Sequence, residues 1–224
     1  MYKILFIDEQ QDDIDDFKNY VEATNTSENF TVVTEFPLGD LTEMVEVIIK
    51  HNPDAIITDF MLNEYKEDIK YNVPYNGVEL VEEYSSIRDG FPCFVMTSFD
   101  DEAIKISEDV NIVYIKDILH NSEKHTNAKA NFLERVGSQI VHYKSKIQDA
   151  ESELLRLVEL RNAGKATIKD EEEIIRLDHF LEMSIDKRNS MPVEYKSLSN
   201  TGRLGELISK VDELLKQVNS KDGK

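Results

Sequence analysis

Ala55-Ile56-Ile57-Thr58-Asp59 is the stretch on which the fold turns. Pro53 precedes it, and the run is short, apolar and rich in β-branched residues, so it reads as a buried strand rather than a helix. It closes on a carboxylate. In an open α/β sheet, ligands bind outside the carboxyl ends of the strands, which places Asp59 at the mouth of such a sheet. Working outward, other strand-like runs end in reactive groups too. Ile4-Leu5-Phe6-Ile7 ends in the acidic pair Asp8-Glu9, Phe94-Val95-Met96 ends in Thr97-Ser98, and Ile112-Val113-Tyr114-Ile115 ends in Lys116. An acid pair, a lone acid, a hydroxyl and a lysine at successive strand ends describe a site for a divalent cation and a phosphoryl group.

The rest of the first half supplies the helices between these strands. Ile14, Phe17 and Val21 share one helical face in residues 11–22. Residues 30–36 are strand-like. Asp40-Leu41-Thr42-Glu43 resembles a capping box and opens a helix carrying Leu41, Met44, Val45 and Ile48. Further helices are expected at 77–88 and 101–108, with strands at 92–97 and 111–115. Five strands alternating with helices predict an α/β fold, a parallel sheet covered on both faces.

The second half has no strand signal. Leu133, Val136, Ile140, Tyr143, Ile147, Ala150, Leu154 and Leu157 follow a 3-4-3-4-3-4-3 spacing, the pattern of a coiled-coil seam. Gly164 marks a turn, Thr167-Ile168-Lys169-Asp170 looks like a second capping box, and a helix with Ile174, Leu177, Leu181 and Ser184 follows. A loop from 189 to about 201 contains Pro192 and leads to a third helix carrying Leu204, Leu207, Ile208, Val211, Leu214, Leu215 and Val218. The expectation is a helical hairpin plus a third helix, paired into a homodimer along the seam. The competing expectation is an ordinary three-helix bundle in a monomer.

Charge separates the halves. The chain of 224 residues has a net charge of −19, and all of the excess lies in residues 1–120, with 8 Lys+Arg against 27 Asp+Glu. Residues 121–224 hold 18 of each. The acidic half repels nucleic acid and anionic membranes, and the neutral half carries no basic stripe, so neither is an expected partner. The single cysteine, Cys93, rules out an internal disulfide framework and lies within a strand, where an inert buried thiol is the plain reading. No stretch approaches the ~20 apolar residues of a membrane span, and the first strand begins without a basic leader, so a soluble cytoplasmic protein is expected. Asp12-Asp13 and Asp15-Asp16 read as the solvated start of a helix rather than as a metal site.

Over residues 1–120 the residues at the strand ends resemble the receiver domain of two-component response regulators. Asp8-Glu9 match the family's acidic pair, Asp59 its phosphoacceptor, Thr97 its hydroxyl residue and Lys116 its lysine. Asn76-Gly77-Val78-Glu79-Leu80 is similar to the start of the family's third helix. The resemblance implies a doubly wound, flavodoxin-like sheet of order 2-1-3-4-5, a receiver over 1–125 and a helical output or dimerisation region over 126–220. It implies Mg²⁺ held by Asp8, Glu9, Asp59 and the Met61 backbone carbonyl, with Asp59 taking a phosphoryl group from a histidine kinase or phosphotransfer protein. Lys116 and Thr97 would contact the phosphoryl oxygens. The protein would be no enzyme beyond slow self-phosphorylation and self-dephosphorylation, and would signal through its helices to an effector protein.

The chain departs from the family at several points. Glu9 stands where the family has a second aspartate, and reaches one methylene further. Asn63 and Asp117 stand where the family has prolines, and a cis bond without proline costs about 3 kcal/mol. Tyr114 is one step out of register with the family's signalling aromatic, so by strand alternation it faces the other side of the sheet. Residues 63–76, with Tyr65, Tyr71, Pro74 and Tyr75, far exceed the usual βα loop of about 2–6 residues. That segment is expected to be a lid, a partner surface or a mobile insertion. The rival functional reading is a pseudo-receiver scaffold that binds partners without phosphorylation. A small metal-dependent phosphatase is a third.

Overall fold

In a computed structural model, the described residues are 1–24, 29–63, 68–98, 105–107, 110–116 and 132–196. The strands form where β-branched and aromatic runs lie: β1 (Tyr2–Ile7), β2 (Phe30–Glu35), β3 (Ala55–Asp59), β4 (Cys93–Thr97) and β5 (Val113–Ile115). All pair in parallel, in the order β2-β1-β3-β4-β5. This is the expected doubly wound, flavodoxin-like arrangement, and the winding reverses between β1 and β3.

Register brings the strand ends together. Ile7 pairs with Thr58, so the next residues, Asp8 and Asp59, lie side by side. Asp59 pairs with Met96, which puts Thr97 one step on, and Thr97 pairs with Ile115, which puts Lys116 one step on again.

The helices of this part are α1 (Gln11–Ala23), α2 (Leu41–His51) and α3 (Gly77–Ile87). Asp40 caps α2 by accepting from the Glu43 amide at 3.0 Å. The far end of α2 closes at Asn52, in the left-handed region with φ 47°, whose amide donates to the carbonyls of Ile48 and Ile49. Pro53 follows and cannot continue the helix. The helix expected at 101–108 lies largely outside the described residues.

Strand alternation divides the core. Ile4, Phe6, Ala55, Ile57, Phe94 and Met96 line one face and pack against Ile14, Phe17 and Val21 of α1. The same cluster takes in Phe132, Leu133, Val136 and Ile140 from the start of α4 (Phe132–Asn162). Leu5, Ile7, Ile56 and Val95 alternate with these, and α2 and α3 contribute buried Met44, Val45, Ile48, Val78, Leu80 and Val81. Each such side chain, fully buried, is worth about 1.5–3 kcal/mol.

The chain divides into two compact units, Met1–Ser145 and Lys146–Lys224, with the division falling inside α4. In the second unit, α4 continues and α5 (Ile168–Asp186) follows a turn at Gly164. That turn needs φ +69°, which glycine adopts without strain. Thr167 and Asp170 cap α5 reciprocally, as the capping-box reading expects. Ala150, Leu157, Ile174 and Leu177 form this unit's core, flanked by Leu154, Leu160, Phe180 and Leu181. Ser184 is buried on the expected face.

Much of the heptad stripe is therefore covered within the chain, with Ile147 and Leu154 part-buried. Its leading residues, Leu133, Val136 and Ile140, bury against the sheet, and Ala150 and Leu157 bury against α5. The spacing marked a buried face correctly at these positions. The third helix expected from about 201 lies outside the described residues. Among the described residues no helix is long and apolar enough to cross a membrane.

Candidate functional site

Asp8, Glu9 and Asp59 are the heart of the site. All three are buried, and each offers a carboxylate oxygen within 4.8 Å of the other two's. Short loops hold them. The Gln10 amide donates to Asp8 Oδ1 at 2.9 Å, and the Met61 amide donates to Asp59 Oδ2 at 2.8 Å. The Met61 amide thus points at Asp59.

Lys116 reaches into this cluster from the end of β5. Its Nζ lies 2.8 Å from Asp59 Oδ1 and 3.1 Å from Asp8 Oδ2, and it also contacts Asp13 Oδ2. Its side chain is only 11% exposed. Burial works against the charged lysine, but the Asp59 and Asp8 carboxylates outweigh it and hold its pKa above the usual lysine range. Burial acts oppositely on the acids. It pushes the Asp8 carboxyl up to about 8, against the pull of Lys116 and with a further push from Asp59, and it raises Asp59 as well. One ammonium does not balance the buried carboxylates around it.

Thr97 is buried at the end of β4, in the position that the register gives it between Asp59 and Lys116. All the residues expected at the site are thus gathered at one end of the sheet.

The Asn76–Leu80 motif has a physical explanation. Asn76 and Glu79 cap α3 reciprocally, at 3.0 and 2.9 Å. Gly77 is required by closeness. A Cβ at that position would stand 2.0 Å from the Asp59 carbonyl oxygen and 2.9 Å from its carbon. The motif packs the start of α3 directly against the backbone of Asp59.

One residue was misread from sequence. Asp13 is not merely part of a solvated helix start, since it touches Lys116. A signal was present. Asp13 lies four residues before Phe17 and eight before Val21, on the row of α1 that faces the core.

The long segment before α3 is packed where it is described. Ile69, Val73 and Tyr75 are buried. Tyr71 and Tyr75 donate their hydroxyls to the carbonyls of Pro37 and Leu38 at 2.8 and 2.7 Å. Asn63 accepts from the Val73 amide and donates to Asn72. Asp68 accepts from the Gln11 amide at 3.0 Å, which ties the segment to the first turn of α1. Residues 68–76 thus form a strap between the β2–α2 turn and α1.

Tyr114 faces the side that alternation assigned to it. Its ring meets Phe94 at 5.9 Å and Phe132 at 4.8 Å, both edge-on, in the core shared with α1 and α4. The Lys116–Asp117 bond lies outside the described residues.

No protein-family model matches the chain, and no curated protein matches it. Among solved structures it is similar to the anti-anti-sigma factor PhyR from Bartonella quintana, at 15% identity over 67% of this chain and 51% of that one, with a TM-score of 0.44. It is similar to a NarL signal receiver domain from Mycobacterium tuberculosis at 17% identity, over 52% of this chain and 84% of that one, TM-score 0.32. It is also similar to RcsB from Salmonella enterica serovar Typhimurium bound to promoter rprA, at 16% identity over 91% of each chain, TM-score 0.38. The chain spans about half the length of the PhyR chain. The doubly wound, flavodoxin-like fold of the sheet rests on its own strand order rather than on these likenesses.

Proposed function

We propose that the protein is a cytoplasmic response regulator that accepts a phosphoryl group on Asp59 in a Mg²⁺-dependent reaction and signals through its helical region. The observation that carries this reading is the placement of Lys116 Nζ against Asp59 and Asp8, beside a cluster of three buried carboxylates. The donor set suits the ion. Three carboxylates with no thiol or imidazole among them favour a hard, oxygen-seeking cation, and their burial leaves negative charge that a divalent ion would balance.

Asp8, Glu9, Asp59 and the Met61 carbonyl would hold Mg²⁺, which when bound neutralises the charge that otherwise keeps an anionic phosphodonor from a carboxylate nucleophile. The remaining roles belong to the chain. A carboxylate oxygen of Asp59 attacks phosphorus in line, the P–O or P–N bond to the donor breaks, and the leaving group carries off its electron pair. The Lys116 ammonium pairs with a phosphoryl oxygen as a point charge. The Thr97 hydroxyl donates to another. The Met61 amide keeps Asp59 from turning away. Attack by water on the acyl phosphate reverses the modification slowly.

The donor would be a histidine kinase or a phosphotransfer protein, and the output a protein contact made by the helical unit. Leu155, Ile168 and Ile185 are exposed there, and are what an effector or a second copy would cover.

Incubation with Mg²⁺ and acetyl phosphate, followed by intact-mass measurement, tests the reading. The expected result is a gain of one phosphoryl group that is lost in Asp59→Asn and in chelator. No gain with a small donor or with any kinase would leave the protein a pseudo-receiver scaffold.

A further inference from the structure

We propose that Asp13 is a positioning residue that holds Lys116 away from the phosphoryl group, so that the first turn of α1 restrains phosphoryl transfer at Asp59. This rests on the reading of Asp59 as phosphoacceptor.

The inference starts from the number of protons on an ammonium. Lys116 Nζ has three to donate, and three carboxylates surround it: Asp59 at 2.8 Å, Asp8 at 3.1 Å and Asp13 in direct contact. Nothing is left for a phosphoryl oxygen. One partner must yield before the lysine can turn to the new group.

The three partners are not equal. Asp8 is fully buried and Asp59 nearly so, and both belong to the carboxylate cluster suited to a cation. Asp13 stands outside that cluster and comes from a helix rather than a strand end. Its side chain is 28% exposed, so it can be rehydrated by a small rotation where Asp8 cannot. It is the contact that yields most cheaply. Until it does, it competes with the phosphoryl group for Lys116 and adds a negative charge that an anionic donor must approach. Both effects act against transfer. The strength of the restraint is set by the seat of α1, whose Gln11 amide is capped by Asp68 of the strap at 3.0 Å.

The substitution that isolates the effect is Asp13→Asn, which removes the charge and keeps the shape. With acetyl phosphate and Mg²⁺, the aspartyl phosphate should form roughly threefold faster and hydrolyse more slowly, the scale of a partly exposed ion pair. Asp13→Glu should restore the wild-type rates. Asp12→Asn, one exposed residue away, should leave them unchanged. Rates that stay at the wild-type value or fall in Asp13→Asn would overturn the restraint, and so would an equal gain in Asp12→Asn.

A second measurement does not depend on transfer. The ¹⁵N–¹H signal of the Lys116 ammonium should exchange with water more quickly in Asp13→Asn than in the wild type, both metal-free. An unchanged exchange rate would show that Asp13 does not hold the lysine. If neither chain takes up phosphoryl, the reading of Asp59 fails and the restraint fails with it. A wild type that is phosphorylated at the same rate as Asp13→Asn overturns the restraint alone.

Discussion

At the carboxyl end of the sheet, Lys116 is 11% exposed and its partners Asp8 and Asp59 are 0% and 6% exposed, whereas Arg156 and Glu153 on α4 are 54% and 42% exposed. The same two kinds of charge meet in both places. On α4, as in the Arg176–Glu173 pair on α5, one cation faces one anion and water solvates both. Such pairs lie three residues apart on a helix and contribute little. At the sheet, one cation faces several acids and little water reaches them. The difference teaches that burial, and not the number of ion pairs, decides where charge is costly enough to be used. An imbalance kept out of water is a demand for another cation, and the same residues on a helix surface demand nothing.

The largest expected effect comes from Gly77→Ala, which strikes the buried end without touching a charge. Its methyl group would collide with the Asp59 carbonyl, and the structure has backbone rather than a flexible side chain on that side. Stability should fall by about 3 kcal/mol or more, read as a lower urea midpoint. An unchanged midpoint would mean that α3 can withdraw and that the packing around Asp59 is loose.

Asp8→Asn should show the cost of burying charge. Asp8 binds a proton in the folded metal-free protein up to about pH 8, where the unfolded chain has released it near its ordinary 3.8. The folded state therefore holds more protons between these values, and stability declines as pH rises through that window. Asp8→Asn removes Asp8's share of this slope, leaving that of the likewise raised Asp59, and should be more stable than the wild type at high pH, by on the order of 2 kcal/mol. Melting in chelator at about pH 5 and about pH 9 measures both. Parallel curves for the two chains would place the strain elsewhere.

Mg²⁺ sharpens the same point with a smaller effect. On the proposed reading it would bind the ionised carboxylates, so its stabilisation of the wild type should grow as pH rises toward about 8. Equal thermal shifts at low and high pH would argue against Asp8 as a ligand.

The smallest effect belongs to the surface pair. Arg156→Ala should move the melting temperature by about 1 °C or less, because solvent already screens what it loses. A large drop would break the comparison and make the exposed charges of the hairpin structural.

Much of this was legible in order. Apolar runs ending in Asp8-Glu9, Asp59, Thr97 and Lys116 named the strands and their reactive ends, because a buried strand needs a continuous apolar stretch and a charge can stand only where it stops. Alternation alone placed Tyr114 on the face opposite the expected one, and its contacts with Phe94 and Phe132 bear that out. Asp13 was harder to see. Its residue type and acidic neighbours spoke for solvent, and only its row on α1 spoke for the core. The strap was legible as a long insertion but not as a packed one, since Tyr71 and Tyr75 find carbonyls more than thirty residues away.

By itself the sequence determined which faces are buried and which groups stand at the strand ends, since both follow from periods of two and of three to four residues along a local segment. Only the tertiary structure decided what covers each face. The stripe from Leu133 to Leu157 keeps one spacing throughout, yet the sheet buries its first turns and α5 buries its last. Periodicity records that a face must leave water, not against what, and the partner is chosen by register and chain crossing over distances that no local pattern contains. The same holds for Lys116. Its place at a strand end is local, but its three carboxylates come from just after β1, from α1 and from β3, and only the pairing order of the sheet brings them to one nitrogen.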